Sequence, residues 1–206
     1  MNQELTIGKE RTVKSTLKSI MVVFAMAMLA IGVMAEDQPA GQGAPEGMPQ
    51  MGPPAEMKQI AGLVGVWDYV MMMKMDMASD TMEKMTGNIT YAYILDGAAM
   101  SSQYEGDEMM GMKFKGFGIQ TYDREMKRWQ MTWTDNMSGR TSIYTGQHEA
   151  DKTTVEGEDM MGGQKMLTRI TSFNEKPTTF DWKMESSMDG GKTWIVVGTA
   201  TFTKRK

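Results

Sequence analysis

The chain of 206 residues contains no cysteine and a single histidine. Without cysteine there is no disulfide, no thiolate-ligated zinc or iron–sulfur cluster, no thiolate nucleophile and no lipidated cysteine. One imidazole, His148, cannot supply a two-histidine metal site and gives poor grounds for a Ser-His-Asp triad. Positive charge is also scarce. Lysine and arginine number 22 against 26 aspartates and glutamates, a net charge of −4. No basic footprint marks a nucleic-acid partner. Proline is rare, six in all, and five of the six fall in one short stretch. What the chain has in excess is methionine, 27 residues.

The first 35 residues read as an export signal. Lys9, Arg11, Lys14 and Lys18 precede an apolar run over 20–34. That run is too short to span a bilayer comfortably and suits a signal-peptide core. It ends in Val33-Met34-Ala35, a small-residue cleavage pattern, which places the cut after Ala35. A periplasmic or extracellular location follows, with no stable membrane span in the mature chain. Met1, Met21, Met26, Met28 and Met34 leave with the leader, and 22 methionines remain. Residues 36–54 hold Pro39, Pro45, Pro49, Pro53 and Pro54 among glycine, glutamine and alanine. With no apolar periodicity, that stretch reads as a disordered linker.

A single domain is expected over 55–206. Residues 54–62 have the marks of a short helix, with proline at the start, Glu56 in the first turn and Gly62 to end it. Everything after that reads as strand. Trp129, Met131 and Trp133 alternate with Arg128, Gln130 and Thr132; Phe180, Trp182 and Met184 alternate with Asp181, Lys183 and Glu185. Ile89, Tyr91, Tyr93 and Leu95 share a third such face. Turn chemistry at Asp96-Gly97, Glu105-Gly106, Asp135-Asn136, Gly162-Gly163 and Asp189-Gly190-Gly191 divides the rest. Ten strands are predicted, over 64–75, 85–95, 99–105, 112–122, 128–135, 140–148, 152–158, 164–173, 178–186 and 192–203. Short connections favour an antiparallel up-and-down order, and closure into a barrel removes the edge strands. The expected fold class is therefore an all-β barrel of about ten strands with a short N-terminal helix. Such a barrel either encloses a small ligand or is filled by side chains.

Residues 57–73, MKQIAGLVGVWDYVMMM, resemble the opening of calycin-type barrels such as the lipocalins, where a Gly-x-Trp closes the barrel base. The ordered set Gln103-Tyr104-Glu105-Gly106, Met109-Met110-Gly111-Met112, Phe114-x-Gly116-x-Gly118, Tyr122-Asp123 and Trp133-x-Asp135-Asn136-Met137 resembles the bacterial domain of unknown function 1579. The resemblance covers about residues 56–203. It implies a calycin-like barrel and carries no activity with it.

In an up-and-down order, alternate connections lie at one end. Those connections and their flanks carry Met75, Met77, Met82, Met85, Met109, Met110, Met112, Met137, Met160, Met161, Met166 and Met188. The opposite connections carry only Met126. The methionines are thus expected to crown the end away from Trp67. Three uses stay open. Methionine can be a flexible apolar filler, or an adaptable surface for an apolar ligand or partner. Clustered thioethers can also hold a soft metal such as Cu(I). The metal candidates are Met73, Met75, Met109, Met110, Met112, Met160 and Met161, because alternate residues of a strand share a face. Interleaved acidic residues, Asp159 among them, would attract cations. Reversible sulfoxide formation makes an oxidant buffer a further option. The segments Glu105–Gly111 and Glu156–Gly162 echo each other in residue type.

The ligand-binding candidates are Trp133, Asp135, Asn136, Met137, Tyr91, Tyr122 and Trp182. Tyr69, Tyr93, Tyr104 and Trp129 are further candidates for lining or core. Asp135 either orients a polar head group or caps an Asx turn. His148, among Gln147, Glu149 and Asp151, is expected to be solvated and to leave haem ligation unsupported. Gly116 and Gly118 suggest a bend or bulge. No nucleophile–base pair is legible, so no catalytic residue is assigned. The leading expectation is an exported, non-catalytic protein that binds a small apolar or amphipathic molecule. Cu(I) or oxidant chemistry is the alternative.

Overall fold

The computed structural model describes residues 51–109, 111–161 and 163–206. The export signal, the linker up to residue 50, Met110 and Gly162 lie outside the described residues, as do the side chains of Met109 and Met161. A 3-10 helix, Ala55–Leu63, leads into ten strands. These are β1 (Gly65–Met73), β2 (Glu83–Ile94), β3 (Ala99–Met109), β4 (Met112–Asp123), β5 (Arg128–Asp135), β6 (Thr141–Glu149), β7 (Lys152–Met161), β8 (Gln164–Phe173), β9 (Thr179–Ser187) and β10 (Ile195–Lys204). Each strand pairs antiparallel with its neighbours in sequence, and β10 pairs with β1 to close the barrel. The expected architecture and strand count are met.

The alternating pattern decides which side chains enter the barrel. Trp67, Tyr69, Met71 and Met73 face inward from β1, and Trp129, Met131, Trp133 and Asp135 from β5. At the Trp67 end the interior is solid. The Phe180 and Phe202 rings stack at 4.4 Å, and Trp67 meets Phe180 edge-on at 5.0 Å. The 3-10 helix seals that end by seating Met57 and Ile60, each 2% exposed, against Met100 and Trp129. Burying an aliphatic side chain of this size stabilises by about 1.5–3 kcal/mol. Polar contacts fix the seal. Trp67 Nε1 donates to the Leu63 carbonyl at 2.7 Å, Tyr93 Oη to the Met57 carbonyl at 2.6 Å, and Lys204 Nζ to the Gly62 carbonyl at 2.8 Å. Gly65 makes the turn between helix and β1 with φ +127°, a conformation that costs other residues strain. The Gly-x-Trp signature is thus a backbone turn plus an indole that caps the helix.

Three local expectations are corrected. Tyr93 continues the inward face of β2 beyond the barrel end, so it holds the helix instead of lining the interior. Leu95 is 74% exposed, because Leu95–Gly97 forms a tight turn with positive φ at all three residues. Glu105-Gly106 does not end its strand. β3 runs on to Met109 with a register shift between Glu105 and Glu108. Asp107 closes the irregularity by accepting from Thr86 N at 2.8 Å and Thr86 Oγ1 at 2.6 Å, which holds its carboxyl below the ordinary range.

Candidate functional site

Above the solid base the barrel encloses a cavity of about 810 Å³. Among the described residues, eight methionines line it: Met71, Met73, Met75, Met85, Met100, Met131, Met137 and Met184. Rings share the wall, including Tyr91, Tyr104, Phe114, Trp133, Tyr144 and Trp182. A volume of this size falls within the range of small-molecule sites.

Glycines on the inner wall are what keep the space open. The Trp133 indole lies across Gly116, where an added Cβ would overlap the six-membered ring. Tyr104 meets that indole edge-on at 5.0 Å and Phe114 stacks near it at 6.3 Å. The Tyr69 hydroxyl lies over Gly87 and Gly106, the Tyr144 ring over Gly157, and Met73 with Trp182 over Gly198. In each case a bulky side chain lies along the wall above a neighbouring strand. Gly116 and Gly118 are therefore no bulge, since the register runs unbroken from Lys115 to Gln120. The echo between Glu105–Gly111 and Glu156–Gly162 has the same structural content, a strand glycine beneath a tyrosine.

Of the ligand-binding candidates, Trp133, Asp135, Met137, Tyr91 and Trp182 line the cavity. Tyr122 does not. It packs edge-on against Trp129 beside the sealing helix. Asn136 is exposed and continues the β4 ladder, accepting from Lys115 N at 2.9 Å and donating to the Lys113 carbonyl at 2.8 Å. Asp135 is engaged by the protein itself. Oδ1 accepts from Met137 N at 2.9 Å and Ser138 N at 2.6 Å, and Oδ2 from Trp133 Nε1 at 2.9 Å. Its carboxylate is an Asx-turn cap that also fixes the indole.

The thioether candidates are spread over two surfaces. Met73 and Met75 border the cavity, whereas Met112 is 48% and Met160 41% exposed. Met75 lies beyond the end of β1, so it does not continue the shared strand face with Met73. Among the described residues, no three His, Asp or Glu side chains are grouped to hold a metal ion. No helix among them is long and apolar enough to cross a membrane.

Two polar groupings on the inner wall bring together residues that the sequence presents separately. Asp159, 8% exposed, accepts from Tyr144 Oη at 2.6 Å and from Ser142 Oγ. Burial first, and this carboxylate second, push the Tyr144 phenol well up. Alternation of β7 puts Glu156 and Glu158 outside, on Arg169 and Lys165, and leaves Asp159 within. The second grouping lies toward the sealed end. His148 is half-buried, not solvated. Its Nδ1 lies 2.7 Å from Thr153 Oγ1, and its ring meets Trp129 edge-on at 6.3 Å. Thr153 Oγ1 donates to Glu175 Oε1 at 3.3 Å. Burial raises the Glu175 carboxyl, and His148 pulls it back. Tyr91 and Tyr104 also line the wall, and burial raises both phenols. The wall shows only in three dimensions why Glu175 matters: it follows β8 in a connection and has no place in any alternating pattern.

Among solved structures the barrel is similar to Rv2717c from M. tuberculosis, with a TM-score of 0.55 and 10% identity over 75% of this chain and 100% of that one. It is also similar to the S-type phycobiliprotein lyase CPES from Guillardia theta, with a TM-score of 0.46 and 14% identity over 72% and 92% of the two chains. At such identities the likeness is one of fold. No curated protein matches the chain. The family model described as "Protein of unknown function (DUF1579)" matches residues 52–204, and the chain belongs to that family.

Proposed function

We propose that this protein is an exported, non-catalytic carrier that holds one small apolar or amphipathic molecule inside its barrel. The cavity of about 810 Å³, walled by rings and thioethers, carries the reading. Apolar surface of this kind gains by excluding water, and unbranched methionines repack around ligands of different outline. Met73, Met75, Met85 and Met137, where the strands end away from the seal, form the entrance. Asp135, the sequence's candidate base, is bound to its own turn, which favours binding over a reaction at that carboxylate. Native mass spectrometry of protein purified from its own host is expected to show a bound molecule that dissociates on activation. Repeated isolation of the bare mass alone would count against the carrier.

The alternative is a Cu(I) site built on the thioether candidates, of which Met73 and Met75 border the cavity. Anaerobic Cu(I) titration of Met73→Leu/Met75→Leu against a competing chelator tests it. Unchanged affinity would remove the metal reading.

A further inference from the structure

Among the described residues, Asp135 and Glu175 line the cavity directly, Asp159 lies behind Tyr144, and no lysine or arginine lines it. Their situations differ. Asp135 accepts three short hydrogen bonds from the protein. Glu175 accepts one long bond, from a threonine hydroxyl that His148 also engages. A carboxylate in apolar surroundings is costly unless it is paired. Glu175 Oε1 has that one threonine donor, and the residue lines the cavity. We propose that the deep end of the cavity is a head-group subsite for an amine, with Glu175 accepting from a cationic nitrogen and the apolar remainder of the ligand lying along Met71, Met131, Trp182 and Met184.

The inference rests on the carrier reading and narrows it to one ligand class. Three features favour a cation there. A fatty-acid anion would bring its charge toward Glu175 and Asp135 with no lysine or arginine to meet it. Tyr91 and Tyr104 both line the cavity, and tyrosine rings attract an ammonium. Glu175 accepts a single bond of 3.3 Å, so a cationic nitrogen would add a charge-assisted partner at a carboxyl that burial raises against His148 and Thr153. The backbone of Glu175 is held beside β7, where Glu175 N donates to the Asp151 carbonyl after Asn174 takes a positive φ of 54°.

The test uses the full mature chain loaded with a neutral apolar fluorophore, N-phenyl-1-naphthylamine. Decylamine, decanoate and decanol are then compared as displacers at neutral pH. A charge-assisted hydrogen bond contributes enough for decylamine to displace at about tenfold lower concentration than decanoate, or better. Glu175→Gln keeps shape and acceptor oxygen, and should bring the amine and the acid within about threefold of each other. Equal or better displacement by decanoate would overturn the inference, as would an amine preference that survives Glu175→Gln. If decanol displaces the fluorophore while the amine has no advantage, the carrier stands and the amine subsite falls. If neither the fluorophore nor any of the three chains binds, both fall. Where the variant is poorly folded, a wild-type preference for decanoate still overturns the inference, and Glu175→Ala compared in the same way replaces Glu175→Gln.

Discussion

The indole of Trp133 rests on the backbone of Gly116, one strand away, and its N–H is held by Asp135 on its own strand. The ring is thereby pinned flat against the wall with no side chain beneath it. Gly116→Ala places a methyl group where the ring lies, and overpacking of this kind costs about 1–3 kcal/mol. Urea denaturation should show that loss. Near-ultraviolet circular dichroism should change with it, since the indole must move. An unaltered spectrum would mean that the ring is not packed on Gly116.

Asp135 is assigned to structure. Asp135→Ala leaves the amides of Met137 and Ser138 and the Trp133 indole without their acceptor. Hydrogen bonds to a charged group contribute about 1.5–3 kcal/mol, and a loss near the low end is expected at this partly exposed site. Equilibrium denaturation of Asp135→Ala and Asp135→Asn checks this. Asparagine should restore part of the stability, because its side-chain oxygen can still accept. Equal stability of all three proteins would refute the cap.

The connection between β9 and β10 is an acid-sensitive element. Thr193 Oγ1 donates to Asp189 Oδ2 at 2.6 Å, and the amides of Thr193 and Lys192 and the Ser187 hydroxyl donate to Oδ1. These bonds, the Thr193 side chain first, lower the Asp189 carboxyl to about 2. A depressed carboxyl stabilises the fold above its unfolded value of about 3.9, and that contribution fades as pH falls through the folded value. Asp189→Asn should therefore be less stable than wild type at neutral pH, with the gap closing as pH falls from about 4 toward 2. A gap independent of pH would contradict the assignment.

Glu175 titrates in the opposite sense. Its folded carboxyl is raised by burial, with His148, Thr153 and Asp151 modulating it. The folded protein then holds the proton more tightly than the unfolded chain, so stability declines as pH rises from the ordinary carboxylate value through the folded one. Glu175→Gln lacks that decline. The stability of the variant relative to wild type should improve as pH rises from about 4.5 toward neutrality. Thermal melts across that range measure it, and a relative stability that worsens with pH would show the carboxyl to be depressed instead.

Much of the fold was legible because its signal is local. Arg128–Asp135 and Gln164–Phe173 coincide with the segments read from alternation, and turn residues placed most other ends within a few positions. Glu105-Gly106 misled because glycine carries two meanings. A glycine that lets the chain turn and one that lets a ring lie across a strand look alike in sequence, and only the position of Tyr69 tells them apart. The site was legible in part. Trp133, Tyr91 and Trp182 sit on inward faces, and alternation found them, while Met137 lines the cavity from the turn after β5. Tyr122 shares such a face but lies too near the sealed end, a matter of barrel tilt that no pattern records. His148 and Glu175 come together across a strand pair and a connection, far apart in the chain, so neither looked remarkable alone.

The central claim is that the barrel interior is open and takes one molecule. Titration with N-phenyl-1-naphthylamine, followed by its own emission and by quenching of tryptophan, tests this most directly, because Trp133 and Trp182 line the cavity. The expected result is saturable one-to-one binding in the wild type. It should be lost in Met131→Trp, which fills the middle of the cavity, while far-ultraviolet circular dichroism shows the strands retained. Equal binding to both proteins would place the fluorophore on the surface and contradict the claim.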